Sequence, residues 1–113
     1  MQSLNKGDIV FAKFPFEEDK TIFKPRPCFV ISVDTVNNRF LAAKITTTEI
    51  KRSWAIHIKS GKDDMSTGSM RIESWINLNR IEWIPFSDFT FKIGTASPDI
   101  LNNVIQKLKC EEI

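Results

Sequence analysis

The sequence predicts a mainly β protein: a small curled sheet or barrel of short strands, with one amphipathic helix packed on it at the C-terminal end. Three observations carry this expectation. Short apolar stretches with a two-residue period recur from Ile9 to Ile93, separated by turn-forming residues. Residues 27–33 are almost continuously apolar, long enough for a strand buried on both faces and too short for a helix. From Ser97 onward the period becomes that of a helix.

Taken in order, Gly7-Asp8 is a turn signal, and a strand follows over residues 9–16 with Val10, Ala12, Phe14 and Phe16 on one face. Residues 17–24 are charged, lack alternation and end at Pro25, so they read as an exposed loop. The buried strand 27–33 comes next, and Asn37-Asn38 turns the chain back into a strand over 39–45. Thr46-Thr47-Thr48 and a basic connection over 49–53 precede a strand over 54–59. There Trp54, Ile56 and Ile58 point one way and Ala55, His57 and Lys59 the other. Residues 60–68, rich in Gly, Ser, Thr and Asp, read as a loop. Residues 69–78 alternate again, with Met70, Ile72 and Ile76 on one face and Arg71, Glu73 and Trp75 on the other. Short strands over 81–86 and 89–93 follow, and Gly94 breaks the pattern. Ser97-Pro98-Asp99 starts a helix: a hydroxyl N-cap, a proline at the first helical position and a carboxylate near the positive end of the dipole. Ile100, Leu101, Val104, Ile105 and Leu108 form its apolar stripe, and it runs to about Cys110.

Bulk properties set bounds on function. A chain of 113 residues is the size of one domain, taken here as 1–113, and its 42% apolar content is enough for a core concentrated in nine Phe and three Trp. The net charge of +2 permits an acidic partner such as RNA without demanding one. Cys28 lies inside the apolar run and Cys110 near the end, so both read as buried or idle thiols of a reducing compartment. The opening residues have no apolar signal region, and no stretch approaches the roughly 20 apolar residues of a membrane span. These features indicate a cytoplasmic protein with no membrane contact. His57 is the only histidine and has no cysteine pair beside it, so no metal site is expected. Gly68-Ser69 lacks the glycines and lysine of a phosphate loop, and no cofactor motif is present.

The stretch from Lys24 to Ser32 places a guanidinium, Arg26, between two prolines at the mouth of the buried strand. Taken alone, Arg26 reads as a solvated arginine, as a partner of Glu17 or Glu18, or as a phosphate-binding fork. Arg71 and Glu73 stand two apart on one expected strand, roughly 7 Å between Cα atoms, and read equally as a salt-bridge pair or a proton-transfer site. Trp75 continues that face, as core, as interface or as a stacking surface for a base. Lys20, Lys24, Lys44, Lys51 and Arg52 form either a phosphate path or solvated faces.

In this order the features resemble the MazF/PemK family of toxins from bacterial toxin–antitoxin pairs. The likeness lies in Gly7-Asp8-Ile9-Val10 through Phe14-Pro15-Phe16, in Arg26-Pro27 before Phe29-Val30-Ile31-Ser32, in Ile45-Thr46-Thr47, and in Ser69-Met70-Arg71-Ile72-Glu73, where some relatives carry Arg-x-Asp. The resemblance implies an SH3-like barrel of five to seven short strands with a C-terminal helix, usually a homodimer. It also implies a metal-independent endoribonuclease acting on single-stranded RNA and held inactive by a cognate antitoxin, meeting DNA only indirectly through the antitoxin complex. Carried over by position, Arg26 stabilises the phosphorane, Thr46 or, as second choice, Thr47 positions it, and Glu73 helped by Arg71 transfers a proton. Lys20, Lys24, Lys44, Lys51, Arg52 and Trp75 contact the RNA. Two competing readings keep the fold and drop the catalysis: a gyrase binder like the CcdB proteins, and an inactive interaction module.

Overall fold

The computed structural model describes residues 3–111. Its elements, in chain order, are β1 (Asp8–Pro15), β2 (Phe23–Asp34), β3 (Arg39–Thr46), β4 (Ala55–Ile58), β5 (Met65–Gly68), β6 (Ser74–Pro85), a 3₁₀ turn (Phe86–Asp88), β7 (Phe89–Ala96) and α1 (Pro98–Glu111). The strands form one sheet in the order β4-β6-β3-β2-β1-β7-β5, with every neighbouring pair antiparallel. A mainly β chain ending in a helix is the architecture the periodicity predicts.

Both faces of the central strands are buried, which is why residues 27–33 carry so little polar alternation. One face gathers Ile9, Phe29, Ala43, Ile45, Ile56, Ile58 and Ile76 with Ile100 and Val104 of α1. The opposite face gathers Val10, Ala12, Phe14, Cys28, Val30, Phe40, Ala42 and Ile84. The two ends of the sheet, β4 through Ile56 and Ile58 and β5 through Met65, meet in the same cluster beneath the helix, so the sheet is curled around it. The helix start is as expected: the Ile100 N–H donates to Ser97 Oγ at 3.4 Å. The chain opening is fastened to the far end of the sheet. Ala96 N donates to Gly7 O, and the buried Asp8 carboxylate accepts from Thr95 Oγ1 and pairs with Lys92 at 3.2 Å. No helix among the described residues is long and apolar enough to cross a membrane.

Four local expectations are corrected. First, β5 occupies the end of the stretch read as a loop over 60–68. Its sequence, Met65-Ser66-Thr67-Gly68, is too short and polar to signal a strand, and it is held by pairing with β7. Second, residues 69–73 lie outside any strand. Met70 bonds to Gly61 in both directions, and the chain then turns from one end of the sheet to the other before β6. Met70 is buried, but Ile72 is 56% exposed, so the alternation there reflects a turn and not a pleat. Third, the two strands expected over 69–78 and 81–86 are one, β6, interrupted by a bulge. Ala43 pairs with Ile81 but Lys44 with Asn77, which leaves residues 78–80 looped out. Fourth, Gly94 does not end a strand but sits inside β7 opposite Gly68. A Cβ there would lie 2.3 Å from Thr67 O, so the missing side chain is what lets β5 approach. Cys110, read as an idle thiol, has a side chain that lies outside the described residues.

Candidate active site at the open end of β2

Two prolines open the site. β2 begins at Phe23, so Lys24-Pro25-Arg26-Pro27 belongs to the strand and not to the preceding loop. Pro25 and Pro27 stand opposite Lys13 and Phe11 of β1, and that ladder continues through them. Pairing with β3 starts only at Cys28 opposite Lys44. Proline has no N–H to donate, so the β3 ladder stops where the prolines begin. β3 nevertheless runs on to Thr46, paired on its other side with Trp75 of β6. The two strands part, and a cavity of about 320 Å³ lies between them, lined by Arg26, Pro27, Lys44, Ile45, Thr46, Thr47 and Thr48.

Arg26 and Thr46 therefore face one space. Arg26 has the strand parity of Cys28 and Val30, and Thr46 that of Ala42, which places both on the face away from α1. The Thr46 hydroxyl oxygen accepts from the Thr48 N–H at 3.2 Å, which leaves its own hydrogen free to donate. Thr47 is exposed and lines both this cavity and a larger, mostly apolar one of about 500 Å³ that also includes Arg71, Ile72 and Phe91. Next to the site, burial pushes the Cys28 thiol up to about 12, against a smaller pull from Lys44. Cys28 is thus an inert thiol, as its place in the apolar run predicts.

A second group extends the row. Thr46, Trp75 and His57 stand opposite one another on β3, β6 and β4, so their side chains leave the same face. The His57 ring lies over Trp75 with centroids 5.1 Å apart, and Trp75 is only 9% exposed. His57 Nε2 meets Glu73 Oε2 at 3.0 Å. Two inter-strand spacings set His57 about 10 Å from Thr46.

The remaining candidates are scattered. Arg71 and Glu73 are not on one strand: Arg71 lines the apolar cavity, whereas Glu73 is taken up by His57. Lys44 lines the Arg26 cavity. Lys20 pairs with Glu82 at 2.9 Å, and Lys51 with Glu49 at 3.4 Å. Lys24 is exposed opposite Phe14, and Arg52 is exposed in the turn before β4.

Sequence reasoning missed Arg80. It lines a cavity of about 200 Å³ with Arg26, Lys44, Phe14 and the loop residues Glu17 and Glu18. The β6 bulge carries it there, held by the Asn79 N–H donating to Asn77 Oδ1 at 2.9 Å. The Asn-x-Asn preceding it was the one available signal, since an Asn side chain bonding two residues onward interrupts a regular ladder.

By fold, the chain is similar to three solved structures. One is an endoribonuclease from a mycobacterial species, with 18% identity, a TM-score of 0.67, and 97% of this chain and 91% of that one covered. Another is an endoribonuclease in complex with its cognate antitoxin, also mycobacterial, with 17% identity, a TM-score of 0.68, and 96% and 93% covered. A third is the Mycobacterium tuberculosis toxin MazF-mt6, with 14% identity, a TM-score of 0.63, and 89% and 93% covered. No curated protein matches by sequence. The family model described as "PemK-like, MazF-like toxin of type II toxin-antitoxin system" matches residues 5–110. Over nearly its whole length, then, the chain belongs to the PemK-like, MazF-like toxins of type II toxin–antitoxin systems.

Proposed function

We propose that this toxin is a metal-independent endoribonuclease that cuts single-stranded RNA by attack of the RNA's own 2′-hydroxyl. The observation that carries the reading is the shared cavity of Arg26 and Thr46, opened by the two prolines. A phosphodiester seated there meets the planar fork of Arg26 and the free hydroxyl hydrogen of Thr46. The 2′-oxygen attacks phosphorus, and its proton leaves. Charge builds on the non-bridging oxygens, where a fixed guanidinium is worth most. The P–O5′ bond breaks, giving a 2′,3′-cyclic phosphate and a 5′-hydroxyl that takes up a proton. DNA, lacking the 2′-hydroxyl, is not cut.

Guanidinium is a poor proton carrier, so another group moves the protons. Glu73 is that group in this reading. Its carboxylate is held by His57, and the transfer unit is the carboxylate–imidazole pair, with Arg71 flanking the RNA on the side of Thr47. Thr47 is the alternative positioning hydroxyl. Lys24 and Lys44 guide the backbone past Arg26, and Lys20, Lys51, Arg52 and Trp75 serve it more distantly. The chain acts in the cytoplasm as a single domain, forms a homodimer, and is silenced by an antitoxin segment laid over the cavity. That antitoxin is its link to DNA.

The test is incubation of the purified protein with RNA in EDTA and analysis of the ends. Cyclic phosphate ends are expected, with Arg26→Ala or Thr46→Ala lowering kcat on the order of 10²-fold or more. Full activity in the Arg26→Ala, Thr46→Ala double variant would sink the assignment.

A further inference from the structure

We infer that Arg80, together with Arg26 and Lys44, forms a second phosphate-binding subsite. It takes the backbone phosphate of the RNA linkage next to the one that is cut. The inference rests on the ribonuclease reading above and adds a site to it.

Three cations wall one small cavity, and none of them has a carboxylate partner among the described residues. Glu17 and Glu18 line the same cavity yet pair with none of them. Glu82, two residues from Arg80, is occupied by Lys20. The three cations outnumber Glu17 and Glu18 in the cavity wall, and an arriving anion gains from the positive charge left over. Two other cations, Arg39 and Lys92, do have carboxylate partners, Asp34 and Asp8.

Arg80 itself is held but not satisfied. One Nη2 hydrogen donates to Pro15 O at 2.7 Å, and its guanidinium lies 5.4 Å from the centre of the Phe14 ring. Its Nε is buried with no hydrogen-bond partner. That Nε is closed off, so the Nη hydrogens not used by Pro15 are the ones left to meet an anion in the cavity. The β6 bulge that aims Arg80 here is a built feature, of the kind that re-aims side chains beside active sites.

The relation between the two cavities gives the ligand. Arg26 and Lys44 line both. An anion in each would flank this pair, one at Thr46 and one at Arg80, as successive phosphates of one strand would. Arg80 is thus a binding residue for the neighbouring phosphate, and Arg26 bridges the two.

The test uses short RNAs in which either linkage adjacent to the cut is a neutral methylphosphonate, with the wild-type protein and Arg80→Gln. At one of the two linkages, neutralisation should lower the wild-type kcat/KM by about tenfold. Arg80→Gln should lose about the same factor on the native RNA and lose nothing more on the neutral one. Equal sensitivity to the neutral linkage in both proteins overturns the subsite while leaving the ribonuclease reading intact. Absence of cleavage of any RNA by the wild type overturns both. Should Arg80→Gln fail to fold, the wild-type protein alone decides through the Arg80 Nε–H signal in ¹⁵N NMR, titrated with RNA 2′-O-methylated throughout. A shift with the native backbone and none with the neutral linkage supports the subsite, and no shift at saturation with either overturns it. Inorganic phosphate alone, if it reproduces the shift in full at equal concentration, reduces the site to one for free anions and overturns its assignment to RNA.

Discussion

Cys28 and Arg26 are two residues apart on one strand face, yet their surroundings set them to opposite tasks. Cys28 is fully buried, and burial pushes its thiol up to about 12 from an ordinary 9.0. A group whose pKa rises on folding keeps its proton in the folded state over a range where the unfolded chain releases it. Unfolding is therefore favoured as pH climbs through that range, and stability should fall between about pH 9 and 12. Urea titrations at pH 8, 9.5 and 11 should show a falling midpoint, and Cys28→Ala should remove the part of the fall that belongs to the thiol. The same burial predicts that iodoacetamide at pH 8 leaves Cys28 unmodified in the folded protein, read by peptide mapping so that Cys110 is counted separately. Arg26, one pleat nearer the opening, is only half-buried and has lost the β3 strand beside it.

The elements show why that opening exists, and the prolines can be tested as its cause. In Pro25→Ala, Pro27→Ala the missing N–H groups return, and β2 can extend its pairing with β3 toward Thr46. Each restored backbone bond contributes about 0.5–1.5 kcal/mol, while each lost proline costs about 0.4–1 kcal/mol through the unfolded chain. Stability should thus change by no more than about 1–2 kcal/mol. Cleavage should fall at least about tenfold although Arg26 and Thr46 are both retained, because the cavity between the strands closes. Hydrogen exchange reads the cause directly, through new protection of the amides at positions 25 and 27. Activity that drops without that protection would show that the prolines act in some other way. The prolines also mark how far the sequence could be read. The buried strand, the arginine at its mouth, the threonines ending the next strand and the capped helix were all legible, because each depends on local period or local chemistry. β5, the turn over 69–73 and the β6 bulge were not, because they are fixed by what lies across the sheet. Met65-Ser66-Thr67-Gly68 is a strand only by virtue of β7 beside it. Arg80 enters the site only because three residues are looped out against β3. The row Thr46–Trp75–His57 joins three strands, so no spacing along the chain reveals it.

At the scale of the molecule, a sheet buried on both faces pushes its charges to its ends and openings. The cluster on the face away from α1 fills that face from Phe40 to Phe14, and where it ends Arg26, Lys44 and Arg80 come together. The net charge of +2 does not reveal this, since it carries no information on where the cations stand. Composition alone makes the chain nearly neutral, whereas the fold gathers three cations at one opening, against the two carboxylates Glu17 and Glu18. The affinity for RNA should therefore depend on salt as three phosphate contacts would. For a single strand, the logarithm of the association constant falls with the logarithm of salt by about 0.7 per neutralised phosphate, which gives a slope of about −2. The measurement is fluorescence anisotropy of a short RNA, 2′-O-methylated throughout so that it binds without being cut, between about 50 and 200 mM salt. Arg80→Gln should bring the slope to about −1.4, and Lys109→Ala, on α1 and away from the cluster, should leave it unchanged. A slope near zero would mean that these cations do not meet the backbone. A slope beyond about −4 would mean that the binding surface reaches well past the opening, to the lysines that the sheet keeps at its margins.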